Sequence, residues 1–148
     1  MHLILGGRYQ GKRAYAEKLY PNIKIVYNLA EENPRSIIIP GLITNLHLGV
    51  RQLLSENVSP CEFFMDRLEI LRKSVIVGDE ISGGVVPVEE FERRWRDETG
   101  RVYQLLAREA EIVDRVFAGL ALSLKGGGWA GLLDAQACQA DNTTKEEK

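Results

Sequence analysis

Apolar residues along this chain fall into two alternating rhythms, short unbroken runs and stripes at helical spacing. Leu3-Ile4-Leu5 is an unbroken run that predicts a short buried strand, and Lys12 to Leu19, ending ahead of Pro21, predicts a helix. Ile23-Lys24-Ile25-Val26-Tyr27 is rich in β-branched residues and predicts a second strand. Ser36-Ile37-Ile38-Ile39 predicts a third, stopped by Pro40-Gly41, with a short polar link from Ala30 to Arg35 before it. From Ile43 to Asn57 the residues Leu46, Val50, Leu53 and Leu54 recur at helical spacing, and Ser59-Pro60 opens a further helix carrying Phe63, Phe64, Leu68 and Leu71.

Ser74-Val75-Ile76-Val77 predicts a fourth strand. Beyond the link Ser82-Gly83-Gly84, Pro87 begins the longest helix, with Val88, Phe91, Trp95, Val102, Leu105 and Leu106 on one side and Glu89, Arg93, Arg94, Glu98 and Arg101 on the other. That stripe reads as core or subunit interface. Ile112 to Leu124 supplies one or two more strands around Gly119. Strands alternating with helices imply an α/β fold with a largely parallel sheet covered on both faces, and ligands at the carboxyl ends of the strands. The expected organisation is one domain over residues 1–133 and a disordered polar tail over 134–148.

Composition narrows the partners. At 148 residues and 45% hydrophobic the chain supports one real core, and its formal charge of -2 gives no basic excess for nucleic acid. A small molecule is the expected partner. Cys61 and Cys138 are the two cysteines, without metal or disulfide spacing, so both read as free thiols. Leu3-Ile4-Leu5 meets Gly6-Gly7 at once and no window approaches eighteen apolar residues, which predicts a cytoplasmic protein with no membrane partner.

Chemistry concentrates just after the first strand. Gly6-Gly7-Arg8-Tyr9-Gln10-Gly11-Lys12-Arg13 matches the phosphate-cradling pattern G-x-x-x-x-G-K-[ST] at every defined position except the last. In the intact motif, loop amides and a helix N-terminus bind phosphate, the Lys reaches the β- and γ-phosphates, and the hydroxyl holds Mg²⁺. Arg13 replaces that hydroxyl. The expected nucleotide-binding residues are Gly6, Gly7, Arg8, Tyr9, Gln10, Gly11, Lys12 and Arg13, with ATP or GTP as ligand. Lys12 joins helix dipole to positive charge and is the principal catalytic candidate. Arg13 either meets phosphate oxygens or faces solvent. Asp79 and Glu80 follow the fourth predicted strand, where a metal acid and a general base would stand. His47 shows no acid at readable spacing and is read as structural.

Three ordered segments carry a resemblance. Asp79-Glu80-Ile81-Ser82-Gly83-Gly84-Val85-Val86-Pro87 resembles the N-E-V-G-x-G-I-V-P signature of the adenosylcobinamide kinase / adenosylcobinamide-phosphate guanylyltransferase family of cobalamin biosynthesis. Trp95-Arg96-Asp97-Glu98-Thr99-Gly100-Arg101-Val102-Tyr103-Gln104 is similar to the family's F-R-D-x-x-G-x-x-N-Q, and the resemblance runs on through Val116 to Lys125. It implies a three-layer P-loop fold of the RecA-like kind, a homo-oligomer that is often a trimer, and a two-step activity. The family phosphorylates adenosylcobinamide, then transfers GMP to that phosphate through a His between the second and third strands.

This chain departs from the family at several points. Residues 28–35 hold no His, so guanylyl transfer by the covalent route lacks its nucleophile. Pro40 stands where the family's third strand ends in a metal-holding Asp, and Asp79 replaces the signature's Asn, which makes Asp79 a candidate compensating ligand for Mg²⁺. The resemblance turns Glu80 toward substrate or nucleotide and gives Gly83 and Gly84 a tight turn beside the substrate. An active chain would be a phosphotransferase of the adenosylcobinamide kinase type, acting on a cobinamide-type corrinoid. The alternative is a catalytically degenerate member serving as a binding or assembly subunit.

Overall fold

The structure is a computed structural model and describes residues 1–127. Six strands form one sheet in the order β2-β3-β4-β1-β5-β6. They are β1 (His2–Gly6), β2 (Val26–Asn28), β3 (Leu42–Thr44), β4 (Val75–Asp79), β5 (Ile112–Phe117) and β6 (Leu120–Lys125). All neighbours pair in parallel except β5 and β6, which form an antiparallel hairpin. The α/β class and the largely parallel sheet expected from the sequence are therefore present. The helices are α1 (Lys12–Leu19), α2 (Leu46–Ser55), α3 (Pro60–Met65), α4 (Leu68–Leu71) and α5 (Glu90–Glu109), with a 3₁₀ turn at Pro34–Ser36.

Alternating side chains divide the sheet into two unequal faces. Leu3, Ile43, Ile76 and Val113 pack with Val50, Leu53 and Leu54 of α2, Phe63 and Phe64 of α3, and Val102 and Leu106 of α5. Phe64 and Leu106 are completely buried, worth about 2–3 kcal/mol each by area. The opposite cluster is smaller, with Ile4, Leu42, Val75, Val77 and Val116 packed on Ala16 of α1. The α5 stripe is spent inside the domain. Exposed apolar side chains include Val85 and Val86 in the loop ahead of α5 and Phe117, Leu120, Leu122 and Leu124 of the β5–β6 hairpin.

Several boundaries differ from the pattern reading. The run 36–39 is not a strand: Ile37 is buried, while Ile38 and Ile39 lie exposed in a link ahead of Pro40. The third strand comes later, at Leu42–Thr44, within the stretch that periodicity assigns to helix. Gly41 permits this, because a Cβ there would stand 2.6 Å from the Ile25 carbonyl, and the Leu42 amide donates to that same carbonyl. Pro40 is thus not the strand-end position; Thr44 and Asn45 occupy it. The predicted helix over 60–71 is broken at Asp66-Arg67 into α3 and α4. Helix α5 starts at Glu90, leaving Val88 exposed ahead of it rather than on its apolar side. The expected tail, Trp129 and Cys138 lie outside the described residues.

Candidate functional site

The phosphate loop spans the gap from β1 to α1 at the carboxyl ends of the strands. Its geometry is fixed from both sides. Gly6 can carry no side chain, since a Cβ would stand 2.3 Å from the Val116 carbonyl of β5. Gly11 caps α1 in the left-handed region at φ 94°, and Tyr9 is also left-handed at φ 60°. Gln10 ties the loop to the β5–β6 turn: its side-chain oxygen accepts from the Ala118 amide at 2.7 Å and its carbonyl accepts from the Gly119 amide at 2.9 Å.

Beside this loop lies an open cleft of about 470 Å³, bordered by residues 8–14, Thr44, Asn45, Val77 and Asp79. Lys12 is buried, and its ammonium donates to the Gly7 carbonyl at 2.6 Å and pairs with Asp79 Oδ1 at 2.8 Å. Arg13 points away and pairs with Glu17 at 2.8 Å, both well exposed.

Asp79 is held through its backbone as well as its carboxylate. Its amide donates to His47 Nδ1 at 3.2 Å, its carbonyl accepts from the Tyr103 hydroxyl at 2.7 Å, and its second carboxylate oxygen lies 3.5 Å from His47 Nε2. Because Nδ1 accepts, the His47 proton resides on Nε2 and faces the carboxylate. Burial lowers the His47 pKa most; Asp79 opposes that shift, and Lys12 and Arg8 reinforce it. The ring stacks on Trp95, whose indole donates to the His47 carbonyl at 2.7 Å. Burial chiefly, then the charges of Asp79 and Glu80, push the Tyr103 hydroxyl well above its ordinary pKa, so it stays protonated and donates. Gly78 makes room for it, since a Cβ there would stand 2.3 Å from that oxygen.

The remaining predicted residues sit apart from the cleft. Glu80 receives a bidentate pair from Arg115 at 2.7 and 2.9 Å, and its amide donates to the Gly6 carbonyl. Gly84 adopts φ 82°, the left-handed turn expected of it, in an exposed loop whose carbonyls at Ser82, Gly83 and Val85 accept from Arg96. Sequence reasoning did not single out Thr44 and Asn45, and it read His47 as structural. The signal was a Thr-Asn pair following the apolar Leu42-Ile43, hidden by the stronger run at 37–39.

Oxygen donors for a divalent cation are few in the cleft. Among the described residues no group of three or more His, Cys, Asp or Glu side chains gathers. Asp79 is one carboxylate, with the Thr44 hydroxyl and Asn45 amide bordering the same cleft. These are oxygen ligands, and Mg²⁺ is commonly held through one or two carboxylates with water and substrate phosphates. The set fits Mg²⁺ in that sense.

A largely parallel sheet with a phosphate-loop sequence between its first strand and first helix defines the class as α/β, P-loop NTPase-like. No helix among the described residues is long and apolar enough to cross a membrane. The chain belongs to the cobinamide kinase / cobinamide phosphate guanyltransferase family, whose model matches residues 39–124. That match begins beyond the phosphate loop. The chain is also similar to the bifunctional adenosylcobalamin biosynthesis protein CobP of Pseudomonas aeruginosa, 40% identical over 58 residues, which is 39% of this chain and 34% of that protein. The match thus spans about a third of that relative's length.

Proposed function

We propose that the chain binds the polyphosphate of ATP or GTP at residues 6–13 and acts as a phosphotransferase on a cobinamide-type corrinoid. The observation that carries this reading is Lys12, at the first turn of α1 in an open cleft, paired at 2.8 Å with a carboxylate that a phosphate oxygen can replace. On binding, Lys12 exchanges Asp79 for phosphate, and the freed Asp79 would hold Mg²⁺. The ion, when bound, neutralises charge developing on the transferred phosphoryl group. His47 and Tyr103 keep the Asp79 carboxylate aimed while Lys12 moves.

The first, kinase-type step is favoured over guanylyl transfer. Both ring nitrogens of His2 are hydrogen-bonded, to Tyr20 and Asp114, and His47 Nδ1 accepts from the Asp79 amide while its Nε2 lies 3.5 Å from the same residue's carboxylate. Neither offers a nitrogen to carry a guanylyl group. The second reading, a degenerate binding or assembly subunit, draws support from Arg13, which replaces the loop hydroxyl and turns to Glu17.

Calorimetry with ATP and with GTP, on the wild type and Lys12→Ala, tests the cradle; equal affinities would remove it. Phosphorylated adenosylcobinamide formed with ATP and Mg²⁺ would exclude the degenerate reading, and its absence despite nucleotide binding would favour that reading.

A further inference from the structure

Helix α1 carries the cradle, yet it has little apolar hold on the sheet. Its fully buried residues are Lys12 and Ala16, so the apolar contact of the helix with the smaller core is the Ala16 methyl and the partly buried ring of Tyr15, with Tyr20 at the cap. Directional contacts take over. The Tyr15 hydroxyl donates to Asp114 Oδ2 at 2.8 Å, and the same oxygen accepts from His2 Nε2 at 2.7 Å. The other ring nitrogen of His2, Nδ1, lies 2.7 Å from the hydroxyl of Tyr20, the residue that caps α1. His2 and Asp114 are 3% and 1% exposed. Burial lowers the His2 pKa most, against the opposing effect of Asp114, so the ring is neutral, accepting from Tyr20 and donating to Asp114.

Asp114 is the register partner of Ile4 in β1 and Ser123 in β6, and burying its carboxylate is costly, the more so because its Oδ1 has no hydrogen-bond partner. Apolar residues of similar shape in place of the carboxylate and its His2 and Tyr15 donors together would cost the fold less. What the carboxylate adds is geometry: it fixes two phenols, and so the rotation and height of α1. The β5 strand that supplies Asp114 also ends in the turn that grips Gln10.

We propose that Asp114, with His2, is a positioning residue for the phosphate cradle, holding α1 through Tyr15 and Tyr20 while the far end of the same strand holds the loop. This rests on the cradle reading above. Neither residue touches the nucleotide; both act through the helix.

The probe is inorganic pyrophosphate, titrated calorimetrically into the full chain at a temperature where every variant is folded by circular dichroism. Tyr15→Phe with Tyr20→Phe removes two donors without a cavity and should weaken pyrophosphate binding about tenfold, from two hydrogen bonds of modest net worth. Asp114→Leu, similar in shape, should reproduce that loss. Asp114→Asn keeps an acceptor for Tyr15 and His2 and should stay within about twofold of the wild type. Imidazole ¹⁵N spectra should show His2 protonated on Nε2 and its signals moving when pyrophosphate saturates the cradle. A merely structural cluster would lower the melting temperature and leave pyrophosphate affinity and the His2 signals unmoved, which would overturn the proposal. Wild-type protein that binds no pyrophosphate would instead overturn the cradle reading, and the positioning role with it.

Discussion

Replacing Asp79 with Asn separates the two tasks assigned to that carboxylate. The Lys12–Asp79 pair spans 2.8 Å, and Lys12 is 6% and Asp79 18% exposed. At an effective dielectric of about 20 the Coulomb attraction is about 6 kcal/mol, but desolvation of both ions consumes much of it. Breaking a buried pair commonly costs about 3–5 kcal/mol, and the Gly7 carbonyl remains on the ammonium, so about 3 kcal/mol is expected here. For a chain of this size that is a melting-temperature fall of about 6–12 °C. Nucleotide binding without metal should move the other way. The wild type must break the pair before Lys12 can meet phosphate, whereas Asp79→Asn need not, and the variant also removes an anion from the cleft. A gain of at least about tenfold in metal-free affinity corresponds to about 1.4 kcal/mol, roughly half the net worth of the pair. Mg²⁺ should strengthen binding to the wild type and do little for the variant. Thermal melts, and calorimetry with EDTA or Mg²⁺, read all three effects. A variant that melts within about 1 °C of the wild type and binds metal-free nucleotide no more tightly would refute the argument.

Other outcomes follow from the same geometry. Gly78→Ala drives a Cβ to 2.3 Å from the Tyr103 hydroxyl and should cost about 2–3 kcal/mol in denaturant melts, with partial recovery on adding Tyr103→Phe; additive losses would discount the clash. Gly6→Ala meets a backbone carbonyl at 2.3 Å, which no rotamer change relieves, so it should both destabilise the fold and lower nucleotide affinity. Burial lowers the pKa of both His2 and His47 below 6.5, so the unfolded chain binds more protons just below that value. Stability should be full above about pH 6.5 and decline as pH falls toward the folded-state values, by at most about 1.4 kcal/mol per pH unit for each ring. Melting temperatures from pH 7.5 to 5.5 check this; a flat profile would mean that the rings titrate alike in the folded and unfolded chain, and would refute the lowered values.

Much of the fold was legible because unbroken apolar runs and helical stripes mark elements covered on one or both sides. The β1–loop–α1 unit was readable because a Gly-rich turn ahead of Lys12 has few other uses. The third strand was not. Ile37-Ile38-Ile39 outweighs Leu42-Ile43 in any local window, and only the tertiary fit of Gly41 against Ile25 decides between them. The site divided in the same way. Lys12 and Asp79 were found from position alone, and the structure brings them together. Thr44 was not singled out and His47 was read without an acid beside it, because their nearness to Asp79 depends on β3 lying beside β4, which no spacing in the chain records. The His2–Asp114 pair joins residues 112 positions apart and had no sequence signal beyond an Asp within the strand-like stretch Ile112 to Phe117.

The hook from Gln10 to Ala118 and Gly119 bears on how this chain can be engineered. The two-residue bend between β5 and β6 is exposed, with left-handed φ values of 50° and 76°, and would ordinarily be a first choice for inserting a tag or opening new termini. Cutting or lengthening it would unfasten Gln10 on the opposite side of the gap, so a label meant to be silent would report on the anion site.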